Sequence, residues 1–178
     1  MGYRCRWLAT RTSDREAVLK RLGYKLVGEL VEEVYGTGLY ALELDNWLVV
    51  IGDGFDHMND VKRAQARKLG DAIYLYTDDA AMAFELALFR GGNEAWAVAY
   101  DGSDGVTAPT IEGPLPIEAR AWIARLEKQQ AAAGGPKAEV DHIYDFAPQY
   151  AKHLVGFRHD ESLASGDHVP IWQLAVKR

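Results

Sequence analysis

Residues 38–54 read "GLYALELDNWLVVIGDG", in which two apolar runs are joined at Asp45-Asn46 and followed by a glycine-rich turn. A short polar pair between two apolar runs is typical of a tight connection between antiparallel strands. The sequence therefore predicts a β-hairpin at this point. We interpret the rest of the chain outward from this hairpin, because it is the clearest indication of a sheet.

Further strands are predicted on both sides of the hairpin. Residues 3–10, "YRCRWLAT", place apolar side chains at alternate positions, which indicates a half-buried strand. The stretch 81–105 predicts a second hairpin that turns at Gly91-Gly92-Asn93, although its first arm also fits a helix. Residues 24–36 fit a strand or a helix equally well. The remaining predicted strands are 72–77, 138–146 and 169–177.

Four helices are predicted from start and stop residues. Ser13 and Glu16 have the spacing of a capping box, and Gly23 suits the end of the same helix. Pro116 suits the first turn of another helix. The four predicted helices are 13–23, about 60–69, 116–133 and 147–156.

The mixture of helices and hairpins predicts the fold class. It lacks a regular strand–helix–strand repeat, so it favours α+β over a doubly wound α/β sheet. We expect one compact domain over residues 1–178, in which a mixed or antiparallel sheet of hairpins packs against about four helices. The loop-rich stretch 102–115 is a candidate seam between two halves.

Composition limits the classes of function. The chain has 178 residues, of which 48% are hydrophobic and 26% charged, as in ordinary globular proteins. A net charge of −6 argues against nucleic-acid binding, which requires a basic face. The sequence predicts no signal peptide and no membrane span, so we expect a cytoplasmic protein.

Single residues and motifs exclude several kinds of site. Cys5 is the only cysteine, which excludes disulfides within the chain and multi-cysteine metal sites. Its place in a predicted strand favours a buried small hydrophobe over a nucleophile. Glycine-rich nucleotide loops and the nucleophile-elbow motif are absent from the sequence, so no cofactor is predicted.

Four Asp–His pairs, at 56–57, 141–142, 159–160 and 167–168, raise the question of a catalytic or metal site. Catalytic candidates are His57, His159 and Asp160, and the alternative metal ligands are Asp53, His57 and His159. His142 instead suits an apolar strand face. The competing interpretation is that the pairs are unrelated loop and cap residues, because neighbouring side chains diverge.

A resemblance covers roughly residues 94–161. The segments "WAVAYDGSDG", "EGPLP" and "VDHIYDFAPQYAKHLVGFRHDES" resemble recurring segments of small bacterial α+β proteins. In size and acidity the chain is also similar to bacterial immunity proteins. That resemblance implies a protein that neutralises a toxin by binding it.

The leading prediction is a non-enzymatic binding module, an immunity-type inhibitor of a basic toxin or effector. One alternative is a metal-assisted hydrolase that uses the Asp and His loop residues. Another is a self-associating structural subunit, because five Trp exceed the needs of one core. The candidate contact residues are Asp53, Asp56, Asp60, Asp78, Asp79, Asp101 and Asp104.

Overall fold

The computed structural model describes residues 3–12, 14–30, 38–103, 105, 108–161, 169 and 171–177, with backbone alone at 29 and 30. Nine strands form one sheet in the order β2-β9-β3-β4-β1-β5-β6-β7-β8, and every neighbouring pair is antiparallel. The strands are β1 (Arg4–Arg11), β2 (Tyr24–Leu30), β3 (Gly38–Leu44), β4 (Trp47–Asp53), β5 (Ala72–Asp78), β6 (Ala83–Arg90), β7 (Asn93–Asp101), β8 (Thr110–Glu112) and β9 (Ile171–Val176).

Helices cover both faces of the sheet. On one face, Leu19 and Ala66 of the first and third helices join a core that includes Leu8 and Tyr74. On the other face, the last two helices pack on a core that includes Trp7. Because side chains alternate along β1, Leu8 and Trp7 point to opposite cores. The helices are α1 (Arg15–Leu22), α2 (Gly54–His57), α3 (Arg63–Leu69), α4 (Ile117–Ala132) and α5 (Phe146–Val155).

The predicted fold class is confirmed, since an antiparallel sheet and its helices make one α+β domain. Both predicted hairpins are present. Leu44 pairs with Trp47 across the first turn, where Asp45 adopts a positive φ of 50°. Arg90 pairs with Asn93 across the second turn, so its first arm is a strand.

Three predictions about single elements need correction or completion. Residues 138–146 do not form the predicted strand, because residues 142–145 form turns that lead directly into α5. The helix expected from about residue 60 begins at Arg63, after the short α2 and a single 3-10 turn at Met58–Asp60. The ambiguous segment 24–36 begins with strand β2, and its residues 31–37 lie outside the described part.

Local signals explain where α1 begins and ends. Asp14 caps α1, since its carboxylate accepts a hydrogen bond of 2.9 Å from the Ala17 amide. The predicted cap, Ser13, lies outside the described residues. Gly23 ends α1 in the left-handed conformation with a φ of 85°, as predicted. No described helix is both long and apolar enough to cross a membrane.

Candidate functional site

Strand register brings the predicted contact residues to one end of the sheet. Cys5, near the start of β1, pairs with Asp53 at the end of β4. Arg4 pairs with Asp78 at the end of β5, and Ala83 pairs with both Asp78 and Asp101. We call this end the acidic end; its predicted contact residues are Asp53, Asp56, Asp60, Asp78, Asp79 and Asp101. Asp104 lies outside the described residues.

The segment after β4 folds back over the sheet at Gly52. A Cβ atom at Gly52 would lie 2.3 Å from the backbone oxygen of His57, so only glycine fits beneath α2. This turn leaves Phe55 73% exposed, next to the exposed Asp56. The Arg4 guanidinium lies 4.4 Å from the centre of the Phe55 ring. The acidic end therefore carries an exposed aromatic ring beside a carboxylate.

Asp78 does not lie on the surface, contrary to its selection as a contact residue. It is 2% exposed and forms an ion pair of 2.5 Å with Arg4. Its other oxygen accepts hydrogen bonds from the amides of Ala80 and Ala81, at 3.1 and 3.2 Å. These contacts neutralise Asp78 and close the turn after β5, so its role is architectural.

Asp79 connects two distant segments of the chain. Its carboxylate accepts hydrogen bonds from the Tyr144 hydroxyl and, at 2.8 Å, from the Tyr3 amide. Tyr144 in turn accepts a hydrogen bond from the Thr77 hydroxyl. Burial, together with the bond to Asp79, holds the pKa of Tyr144 well above its usual range. Asp79 and Tyr144 thus fasten the start of β1 and the turn before α5 to β5.

The other aspartates of the acidic end differ in environment. Burial raises the pKa of Asp53, which is half-buried. Asp101 is exposed, and its hydrogen bonds from Ser103 lower its pKa. Asp60 is 3.1 Å from Nδ1 of His57, and its backbone oxygen accepts a hydrogen bond from Tyr24. The exposed residues among them are therefore Asp56 and Asp101.

The two candidate catalytic histidines lie on opposite faces of the sheet. The backbone oxygen of His57 covers Gly52, which pairs with Arg6 and shares its face. His159 packs edge-on against Tyr3, with ring centres 5.8 Å apart, on the face that also carries Cys5. The structure does not bring His57 and His159 together. Among the described residues, no three His, Cys, Asp or Glu side chains form a group that could hold a metal ion.

The catalytic candidates His159 and Asp160 do not have the geometry of an acid–base pair. Both oxygens of Asp160 are bound by the Arg158 guanidinium, at 2.6 and 2.8 Å. Burial lowers the pKa of His159, and its buried Nδ1 has no hydrogen-bond partner in the described part of the chain. Asp160 therefore neutralises Arg158 rather than orienting the imidazole of His159.

Cys5 lies in the middle of these groups without the environment of a nucleophile. It is 1% exposed. Burial, together with the negative charges of Asp53, Asp79 and Asp160, raises the pKa of its thiol. A protonated, buried thiol is inert.

His142 does not lie on a strand face, because the predicted strand is absent. It is half-buried in a turn, and its backbone amide donates a hydrogen bond of 2.7 Å to Oε1 of Gln130.

Comparisons of the chain with protein-family models, curated proteins and solved structures found no match.

Proposed function

We propose that the chain is a non-enzymatic, cytoplasmic binding protein whose acidic end contacts a basic protein partner, in the manner of an immunity-type inhibitor. The observation that carries this proposal is the convergence of its candidate contact residues. The exposed Asp56 follows β4, the half-buried Asp79 follows β5 and the exposed Asp101 ends β7, all at one end of the sheet. A surface assembled from several strand ends is a common place for recognition residues.

Phe55 is the central contact that we propose. Binding energy in protein interfaces concentrates in aromatic and arginine anchors surrounded by polar groups. Phe55 is 73% exposed, and Arg4 lies against its ring. Asp56 is its direct neighbour and is exposed as well. An exposed ring with a carboxylate beside it suits a partner that offers an apolar pocket and basic side chains.

The metal-assisted hydrolase has less support. It needs His57 and His159 in one site, whereas these residues lie on opposite faces of β1. It also needs Asp160 to orient His159, whereas Asp160 binds Arg158. The binding proposal requires no such rearrangement.

Affinity capture from cells that produce the chain tests the proposal. We expect the wild-type protein to recover a basic protein in about equal amount, and the recovery to fall at high salt. The variants Phe55→Ala and Asp56→Asn combined with Asp101→Asn should recover much less. Asp45→Asn is the control for Asp56→Asn alone, because each removes one charge and Asp45 lies at the opposite end of the sheet in a turn that asparagine tolerates.

The outcome of the control decides the interpretation. If Asp45→Asn reduces the recovery as much as Asp56→Asn alone, overall charge and not the acidic end is responsible. If the wild-type protein recovers no stoichiometric partner, the proposal is wrong.

Self-association is a second candidate, favoured by one observation at the far edge of the sheet. β2 is an edge strand, and Leu26 and Val27 are 38% and 37% exposed. Exposed apolar side chains on an edge strand favour pairing with another strand. Light scattering at dilute concentration separates the two candidates. A dimer that Val27→Lys dissociates would favour self-association, and a monomer would favour the acidic end.

A further inference from the structure

One row of residues crosses the sheet on the face that carries α1 and α3. Arg6 pairs with Gly52 on one side and with Tyr76 on the other. The row continues through Glu85 and Ala99. The core beneath α1 and α3 includes the neighbouring row, with Leu8, Tyr74 and Ala97. This row lies at the margin of that core, against which Tyr76 packs. Its members Arg6, Tyr76, Glu85 and Ala99 are therefore half-exposed.

Arg6 differs from the two neighbouring arginines on this face. Arg4 forms an ion pair with Asp78, and Arg63 forms ion pairs with Glu85 and Glu94. Arg6 forms no ion pair with any carboxylate in the described part of the chain. The acids nearest to it along the sheet thus pair with other cations, although the single charge of Arg63 is shared between Glu85 and Glu94.

Neutral groups hold the Arg6 guanidinium in place. Nη1 donates a hydrogen bond of 3.0 Å to the side-chain oxygen of Asn59, and the guanidinium carbon lies 5.1 Å from the centre of the Tyr76 ring. Nε is buried and has no hydrogen-bond partner among the described residues. A positioned cation without a charged partner is costly unless an anion approaches it. Nε itself is closed to solvent, so an anion from solvent reaches the half-exposed guanidinium through its terminal nitrogens.

We propose that Arg6 anchors a binding site for a single carboxylate group, presented by a small organic acid. The planar guanidinium matches a carboxylate in shape and charge. The glutamates around Arg63 keep a net negative charge near the site, so a multiply charged anion meets more repulsion than a monoanion. This site is separate from the proposed contact with a basic partner.

Titration of the purified protein with acetate, followed by NMR of the arginine Nε–H signals, tests this site. We expect the Arg6 signal to shift and saturate, with a Kd of about 1 to 10 mM. Inorganic phosphate at the same ionic strength should bind more weakly, and chloride should leave the signal unchanged. At ten times the Kd, acetate should raise the Tm by about 3 to 5 °C.

Three variants make the result specific. Arg6→Gln should abolish the saturable shifts of neighbouring amides and the rise in Tm. Arg11→Gln is the matched control, since Arg11 also lies over an aromatic ring, 5.0 Å from the centre of Trp47, but at the other end of β1. Asn59→Ala keeps Arg6 and frees its guanidinium, so affinity should fall about 3- to 10-fold even if Arg6→Gln does not fold.

Several outcomes would overturn the proposal. The first is a chemical shift that does not saturate up to about 100 mM acetate, a concentration above the expected Kd. The second is acetate binding that survives in Arg6→Gln. The third is phosphate binding that is stronger than acetate binding. Retained acetate affinity in Asn59→Ala would equally show that the positioned Arg6 guanidinium is not the anchor.

Discussion

At the scale of single residues, the Tyr144 hydroxyl joins the turn before α5 to the end of β5. It binds both Thr77 and Asp79. Tyr144→Phe removes this hydroxyl and leaves the buried Thr77 hydroxyl and the half-buried Asp79 carboxylate without their partner. We expect the free energy of unfolding to fall by about 1 to 3 kcal/mol, measured by urea denaturation. Tyr3→Phe is the control, because Tyr3 is 37% exposed, and it should change stability by less than about 0.5 kcal/mol. Equal losses in the two variants would contradict this role.

His159 lowers the free energy of unfolding as the solution becomes acidic. Burial lowers its pKa below 6.5 in the folded protein, while the unfolded chain keeps the ordinary value. The unfolded state therefore binds more protons, so this contribution is complete above pH 6.5 and is lost as the pH falls through the folded pKa. His159→Asn should flatten the decline of stability below pH 6.5, seen in urea denaturation at a series of pH values. His153→Gln, an exposed histidine beside Glu118, is the comparison. An unchanged slope in His159→Asn would exclude the buried imidazole as the cause.

The types and positions of residues predicted where the acidic surface lies. They predicted less well what each aspartate in it does. Loops after strands were sufficient to select Asp56 and Asp101, which are exposed. They were not sufficient to separate Asp78, because its partner Arg4 lies on β1, far away in the chain. Phe55 was missed, because exposure of an aromatic ring follows from the backbone turn at Gly52 and has no local sequence signal.

At the scale of elements, two glycines end or connect elements for different reasons. Gly23 needs a positive φ but has open space around it, so Gly23→Ala should cost about 1 kcal/mol. Gly52 has no room for a Cβ beneath α2, so Gly52→Ala should cost about 3 kcal/mol or displace α2. Thermal unfolding of both variants measures the difference. A smaller loss in Gly52→Ala than in Gly23→Ala would show that α2 is not held against β4.

Elements formed by strands that are adjacent in sequence were predictable. Elements in which side chains form hydrogen bonds with the backbone, in competition with strand pairing, were not. The two hairpins follow from adjacent strands and turn residues. The strand expected at 138–146 fails because Asp141 accepts hydrogen bonds from the amides of Ile143 and Tyr144, which bends the backbone into a turn. The position of β9 between β2 and β3 depends on pairing between residues far apart, which periodicity does not specify.

At the scale of the whole molecule, the two ends of the sheet carry different surfaces. In our proposal, a net charge of −6 favours a basic partner, but it does not specify a contact surface. The antiparallel order supplies that surface, since β4, β5 and β7 end on the same side on which β1 begins. The proposed class of partner therefore rests on the sequence, and the proposed contact surface rests on the sheet topology.

The association rate of the captured partner, measured by stopped flow at several ionic strengths, tests this account most directly. If the acidic end guides association, the rate for the wild-type protein falls as salt increases. At low salt, Asp56→Asn combined with Asp101→Asn should slow association about two- to five-fold, while Asp45→Asn should not. Rates that are independent of salt, and equal in all three proteins, would contradict a contact through the acidic end.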